Sequence, residues 1–150
     1  MTFTDLLREV IARLKLPAAT PAADARNLEI ALSSGQTISL SLLDDDATCA
    51  IAGFICFYPE VARQRRLFEV LLAAHAFGFG TAGATFGVDM DSSKIFLFRT
   101  FVLDDIEMEN FTLALRRFVE AHRTWLEAHA NGKLWALVDE TPAAPQTRGG

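Results

Sequence analysis

Three histidines, two cysteines and short clusters of glycine, aspartate and serine are the residues of this 150-residue chain that could do chemistry. His122 and His129 stand seven apart on one predicted helical face. Zinc pairs on helices are usually four apart, and no cysteine falls where it would complete a tetrahedral site. Both read as surface or core-edge histidines. His75 stands nearly alone among apolar residues, which leaves two roles open: a buried, hydrogen-bonded group or a pH-sensitive interface residue. A catalytic base needs a nucleophile or a second carboxylate beside it, and the sequence nominates neither. Ser33, Ser34, Ser92 and Ser93 all sit in turn signals, and no G-x-S-x-G elbow exists.

Gly78, Gly80 and Gly83 spell G-x-G-x-x-G, but a helical pattern precedes them and a strand pattern follows. The dinucleotide fingerprint needs the reverse order, so that phosphate meets a helix N-terminus. The three glycines read as a helix end and a bend. Asp89, Asp91 and Ser93 imitate the first three ligand positions of a calcium loop, yet Lys94 stands where Gly is needed and Thr100 where Glu is needed. Asp44, Asp45 and Asp46 read as a solvated turn. Cys49 and Cys56 lie an odd number of residues apart in one predicted strand, and alternation would send them to opposite faces, unable to bridge. They read as small buried apolar residues. The sequence therefore predicts no catalytic residue, no metal site and no cofactor.

Such residues need a scaffold, and composition bounds it. Hydrophobic residues make up 51% and charged residues 22%, which excludes disorder and low-complexity sequence. A chain this long buries about 68% of its unfolded surface, enough for one core without disulfides or metals. The net charge of -5 argues against nucleic acid, and Arg63, Arg65, Arg66 and the Arg116–Arg117 pair read as solvated helix faces. The opening Met1-Thr2-Phe3-Thr4-Asp5 lacks the basic start and apolar run of a signal peptide. No apolar run reaches the roughly 18 residues that span a bilayer. The expectation is a cytoplasmic protein without membrane insertion.

Periodicity predicts the elements. Phe3, Leu6, Leu7, Val10, Ile11 and Leu14 follow the helical template, with Thr2 or Thr4 as cap and Pro17 beyond the end. A loop over 17–26 leads to two alternating strands carrying Leu28, Ile30 and Leu32, then Ile38, Leu40 and Leu42. A third strand over 48–57 is apolar on both faces, as a central strand would be. A second helix opens at Tyr58-Pro59-Glu60 and runs to about residue 77. Its second half is apolar nearly all round, more than one sheet contact requires. A second copy of the chain is the simplest cover. Strands over 82–90 and 94–103 form a hairpin, and Asp104 or Asp105 caps a last long helix over 107–130 that Asn131-Gly132 stops. A short apolar piece over 134–138 packs or pairs. The expected fold is α+β: helix, three antiparallel strands, helix, β-hairpin, helix, with one twisted antiparallel sheet packed by helices. One domain covers 1–140, followed by a disordered tail over 141–150.

Within this order stand Leu71-Leu72-Ala73-Ala74-His75-Ala76, Ala84-Thr85-Phe86-Gly87-Val88-Asp89, Ile95-Phe96-Leu97-Phe98 and Phe118-Val119-Glu120-Ala121-His122 leading to Trp125. Over residues 1–138 the chain resembles the class I type III secretion chaperones of the CesT/SycE-like kind, the Tir chaperone family. His75 departs from the Asn expected in the family's LL-x-x-N stretch. The resemblance implies a homodimer without catalytic activity. Such a protein binds the N-terminal region of a secreted effector, keeps it non-globular and presents it to the export apparatus. By analogy Leu67, Val70, Leu71, Ala74, His75, Phe77 and Phe86 form the dimer interface. Phe3, Leu7, Val10, Leu14, Leu28, Ile30 and Leu40 offer apolar grooves and a sheet edge to the cargo. Two other readings stay open: a small-molecule pocket lined by Phe54, Phe86, Phe96 and Trp125, and a protein adaptor outside secretion on the same scaffold.

Overall fold

The computed structural model describes residues 1–16, 23–78 and 80–140, apart from the side chain of Phe77. The expected tail over 141–150 and much of the 17–26 loop lie outside the described residues. Helix α1 (Phe3–Leu14) starts where the Thr2 hydroxyl oxygen accepts the Asp5 N–H at 3.1 Å, and its buried stripe is Phe3, Leu6, Leu7 and Val10. Strands β1 (Asn27–Ala31), β2 (Thr37–Leu42), β3 (Thr48–Phe57), β4 (Thr85–Asp89) and β5 (Lys94–Val102) form one antiparallel sheet in the order β1-β2-β3-β5-β4. β3 lies at its centre, as its two apolar faces require. The turns follow the acidic clusters. The Asp45 carboxylate accepts from the Ala47 and Thr48 N–H groups, and the Asp89 carboxylate from those of Asp91 and Ser92. The hydroxyls of Thr48 and Ser92, which donate to the same carboxylates at 2.6 Å, and then these N–H groups hold both carboxyls below the usual carboxylate range.

Helix α2 (Val61–His75) packs against β4 and against α4 (Lys133–Asp139), the short apolar piece near the end of the chain. That piece is a helix because Leu134 and Val138, one turn apart, are both buried. Arg63 fastens it to α2: two guanidinium nitrogens reach the Asp139 carboxylate at 2.9 and 2.7 Å, and the group lies 4.6 Å over Trp135. Helix α3 (Met108–Ala130) lays Phe111, Leu115, Phe118 and His122 on the sheet. The expected acidic cap is corrected: Asp104 and Asp105 belong to a short 3-10 turn, and Glu107 takes the cap position without a side-chain bond.

The cysteines bring a second correction. The β3–β5 register shifts between Phe54 and Cys56, and this bulge resets the alternation. Cys49 pairs with Phe101 and Cys56 with Ile95, so both thiols face the helix layer rather than opposite sides. Both are free and buried, and roughly 23 Å of strand separates them, far beyond disulfide reach. Burial pushes each thiol up to about 11, so both stay protonated.

Candidate protein-binding groove

Register divides the sheet into two unlike faces. One face carries Ile30, Ile38, Leu40, Cys49, Ile51 and Leu97, all buried beneath the helices. None of the residues on the other face is fully buried. That open face is polar over β1 and β2, where Glu29, Thr37, Ser39 and Ser41 stand, as solvent demands. Over β3 and β5 it is apolar instead: Ala50, Ala52, Phe54, Phe96 and Phe98. The surplus of grease thus lies on the sheet as well as on α2.

Of these, Ala50, Ala52, Phe96 and Phe98 are the floor of an open groove of about 960 Å³. Gln64, Phe68, Leu71, Leu72 and His75 of α2 form one wall, and Tyr58, Val88 and Met90 stand around its ends. Gly87 lets the floor exist. A Cβ there would fall 2.8 Å from Phe96 and 2.9 Å from Phe98, so only glycine lets both rings lie across β4. Tyr58 and Phe68 meet edge to face at 5.7 Å. His75 stacks on Phe86, and its Nδ1 accepts the Phe86 N–H at 3.3 Å. Of the two roles open to it, His75 therefore holds a hydrogen-bonded one, tying the end of α2 to β4, while also lining the groove. Leu72 is 60% exposed, Met90 79% and Val88 46%, and none of these three was among the site residues expected from the sequence. The apolar character of both faces of β3, read from the sequence only as the mark of a central strand, is the signal that could have found this face.

Among the residues expected at a dimer interface, Leu67 and Leu71 are buried in the chain's own core, although Leu71 also touches the groove. Val70, Ala74, His75 and Phe86 are half-buried, and the side chain of Phe77 lies outside the described residues. Among those expected to meet cargo, Phe3, Leu7, Val10, Ile30 and Leu40 are buried in the core, whereas Leu14 and Leu28 are half-buried at its margin. The four aromatics of the alternative pocket do not converge. Phe54 and Phe96 pair on the open face, while Phe86 meets Trp125 edge to face at 4.9 Å and Trp125 does not line the groove. No three His, Cys, Asp or Glu side chains among the described residues are placed to hold a metal. No described helix is long and apolar enough to cross a membrane.

No family model and no curated protein matches the sequence. Solved structures do. A chain of the HopA1–SchA chaperone–effector complex superimposes with a TM-score of 0.63 at 16% identity, over 84% of this chain and 94% of that one. The fold is that of the type III secretion chaperones. A chain of the heterodimeric ExoU–SpcU complex from the type III secretion system of Pseudomonas aeruginosa gives 0.58 at 16% identity, over 87% and 96%. YbjN of E. coli, described as a candidate transcription regulator, gives 0.59 at 18% identity, over 85% and 91%. The chaperone fold thus also occurs under a different description, and fold by itself does not decide function.

Proposed function

We propose that this chain is a type III secretion chaperone, acting as a homodimer in the bacterial cytoplasm. It binds the N-terminal region of a secreted effector, keeps that region non-globular and presents it to the export apparatus. The observation that carries this reading is the open apolar groove where α2 meets β3, β5 and β4, on a chain with the chaperone fold. A groove rimmed by exposed Leu72, Val88 and Met90 suits a protein surface, since burying that rim removes large side chains from water at about 25 cal/mol per Å². We assign this side, with Val70, Ala74, His75, Phe77 and Phe86, to the second copy. Cargo is then assigned to the opposite end of the sheet. There β1 is the edge strand of the sheet among the described residues, and Leu14 and Leu28 offer margins beside the buried Phe3, Leu7, Val10, Ile30 and Leu40. The role is one of binding and needs no cofactor.

A protein adaptor outside secretion is the second reading, and it starts from the occurrence of this fold in YbjN, which is not described as a secretion chaperone. Light scattering of the purified chain at micromolar concentration tests the dimer, and Leu72→Asp tests its location. Leu72 is the better probe than Leu71, because Leu71 is needed by the core of a single copy. The expected result is a dimer that Leu72→Asp converts to a folded monomer, since a buried unpaired carboxylate costs several kcal/mol. A monomeric wild-type chain overturns the homodimer, and an unaffected dimer moves the interface away from α2. Co-purification with an extended, protease-protected segment separates the chaperone from the adaptor.

A further inference from the structure

Histidine is the side chain whose charge changes between about pH 5 and 8, and His75 is the one histidine among the described residues that line the groove. No carboxylate, lysine or arginine stands with it there, and the other titratable side chain is the Tyr58 phenol. Nδ1 of His75 accepts the Phe86 N–H at 3.3 Å, so in the neutral ring Nε2 carries the proton. The ring stacks on Phe86 with centroids 5.8 Å apart. It is half-buried, and among the described residues Nε2 is bonded to none, which leaves it to solvent in the open groove.

The wall that carries His75 also carries a ridge. Leu72 and Ala73 near the end of α2, and Ala76 just beyond it, are exposed, one large side chain beside two small ones. The groove floor sets small Ala50 and Ala52 beside the Phe96 and Phe98 rings. A ridge and a hollow on one patch suit a two-fold contact between identical chains, where each copy offers the same surface to the other. A neutral imidazole can be covered in such a contact, whereas an unpaired imidazolium resists removal from water.

Taking the groove as the seat of the second copy, as above, we propose that the charge of His75 governs its occupancy: the second copy seats over the neutral ring, and a proton on the ring opposes it. Covering the groove takes the Nε2 side of the ring out of water, so the dimer binds that proton more weakly than the monomer. The dimer is therefore favoured above the histidine range and lost as pH falls through it. Contacts inside one copy do not reverse the sign. A proton on Nδ1 sets donor against donor at the Phe86 N–H, and the Phe86 face supports a cation, but both are present with or without a second copy and cancel. The charged neighbours are engaged elsewhere. On α2 Glu69 turns to Arg65 and Arg66, and Arg63 is held by Asp139 of α4. On β4 and β5 Asp89 and Lys94 face each other at the far end of the hairpin, and Arg99 reaches the Ala82 carbonyl. From α3 Trp125 packs on Phe86, while Glu120 and Glu127 hold Arg123. None of these carboxylates forms an ion pair with His75.

Sedimentation equilibrium of the full chain at about pH 7.5 and about pH 5.5 tests it. A ring neutral in the dimer and charged in the monomer weakens association by up to about tenfold per pH unit, and each dimer holds two such rings. The wild-type dissociation constant is therefore expected to rise by about ten- to a hundredfold on acidification. His75→Asn sets an amide oxygen near the position of Nδ1 and cannot take a proton, so the rise is expected to vanish; the readout is the slope with pH, not the affinity itself. His122 and His129 are common to both proteins and cancel. A wild-type constant that stays level or falls overturns the proposal, as does an equal rise in His75→Asn. NMR of the wild type gives a second readout: the midpoint of the His75 ring should be lower where the chain is dimeric than where dilution makes it monomeric, and equal midpoints overturn the proposal. A chain that is monomeric at every concentration overturns the second copy as occupant. Binding of the uncharged dye Nile red to that monomer then decides the role of His75 by itself: weaker binding at about pH 5.5 in the wild type but not in His75→Asn supports it, and equal pH dependence overturns it.

Discussion

Gly53→Ala is the smallest change that should break the core, because the His122 ring lies directly on that glycine. A Cβ built there falls 2.5 Å from both Cδ2 and Nε2 of His122, whereas ordinary contact begins near 3.4 Å. The ring would have to move by roughly 1 Å, and it has nowhere to go. Phe118 stacks beside it with the ring planes 5° apart, and hydrogen bonds of 2.8 and 2.9 Å hold its two nitrogens. Displacement strains or breaks both bonds. Orphaning one buried polar group costs about 1–3 kcal/mol, and overpacking adds about 1–3 kcal/mol. The expected loss is therefore about 2–6 kcal/mol, a large share of the 5–15 kcal/mol typical of a domain. Urea unfolding followed by circular dichroism measures it, and the melting temperature should fall by about 4–24 °C for a chain of this size. The double variant Gly53→Ala with His122→Gln should lose less than the sum of the single changes, since a flexible amide can yield where a ring cannot. A loss below about 1 kcal/mol for Gly53→Ala, with unchanged NMR signals at Phe54, would refute the reasoning.

Further outcomes follow from the same contacts. His122 binds its proton more weakly folded than unfolded, so its contribution to stability is complete above about pH 6.5 and is lost as pH falls, by at most about 1.4 kcal/mol per unit. The bonded carboxyls of Asp5, Asp45 and Asp89 act below 3.8, so their window is separate; stability unchanged from about pH 7 to about pH 5 would contradict the His122 bonds. Cys49 and Cys56, pushed up to about 11 by burial, should resist a thiol reagent in the folded chain and react together on unfolding. Rapid labelling of native protein would place them elsewhere. Gly87→Ala should push the Phe96 and Phe98 rings into the groove, weakening bis-ANS binding several-fold while costing less than about 2 kcal/mol of stability. Unaltered dye binding would show that the rings do not form the floor.

Much of this fold was legible because its elements announce themselves locally. The unbroken stripe from Phe3 to Leu14, the alternation from Leu28 to Leu42 and the turn residues around Asp45 and Asp89 each satisfy their own backbone. The failures have a common origin in contacts between distant residues. Cys56 left its expected face because one bulge, bound to a histidine on α3, resets strand parity. Whether Phe3, Leu7 and Leu40 face core or groove was open in the sequence, and they are buried where α3 packs against α1 and the sheet. An apolar residue looks the same in sequence whether it meets its own chain or another.

By itself the sequence determined the order of the elements, the type of each except the short last one, and the presence of more apolar surface than one small domain hides. Hydrophobic period and turn chemistry are local, so a single chain of letters carries them. Tertiary structure alone decided where that surplus lies: on the helix-free face of β3 and β5, beside α2, with Leu72, Val88 and Met90 at its rim. It alone joined Ser34, Gln36, Phe54, Val119 and His122 into one hydrogen-bonded chain. Strand order and register bring those atoms within 3 Å, and neither is encoded by any one segment read on its own.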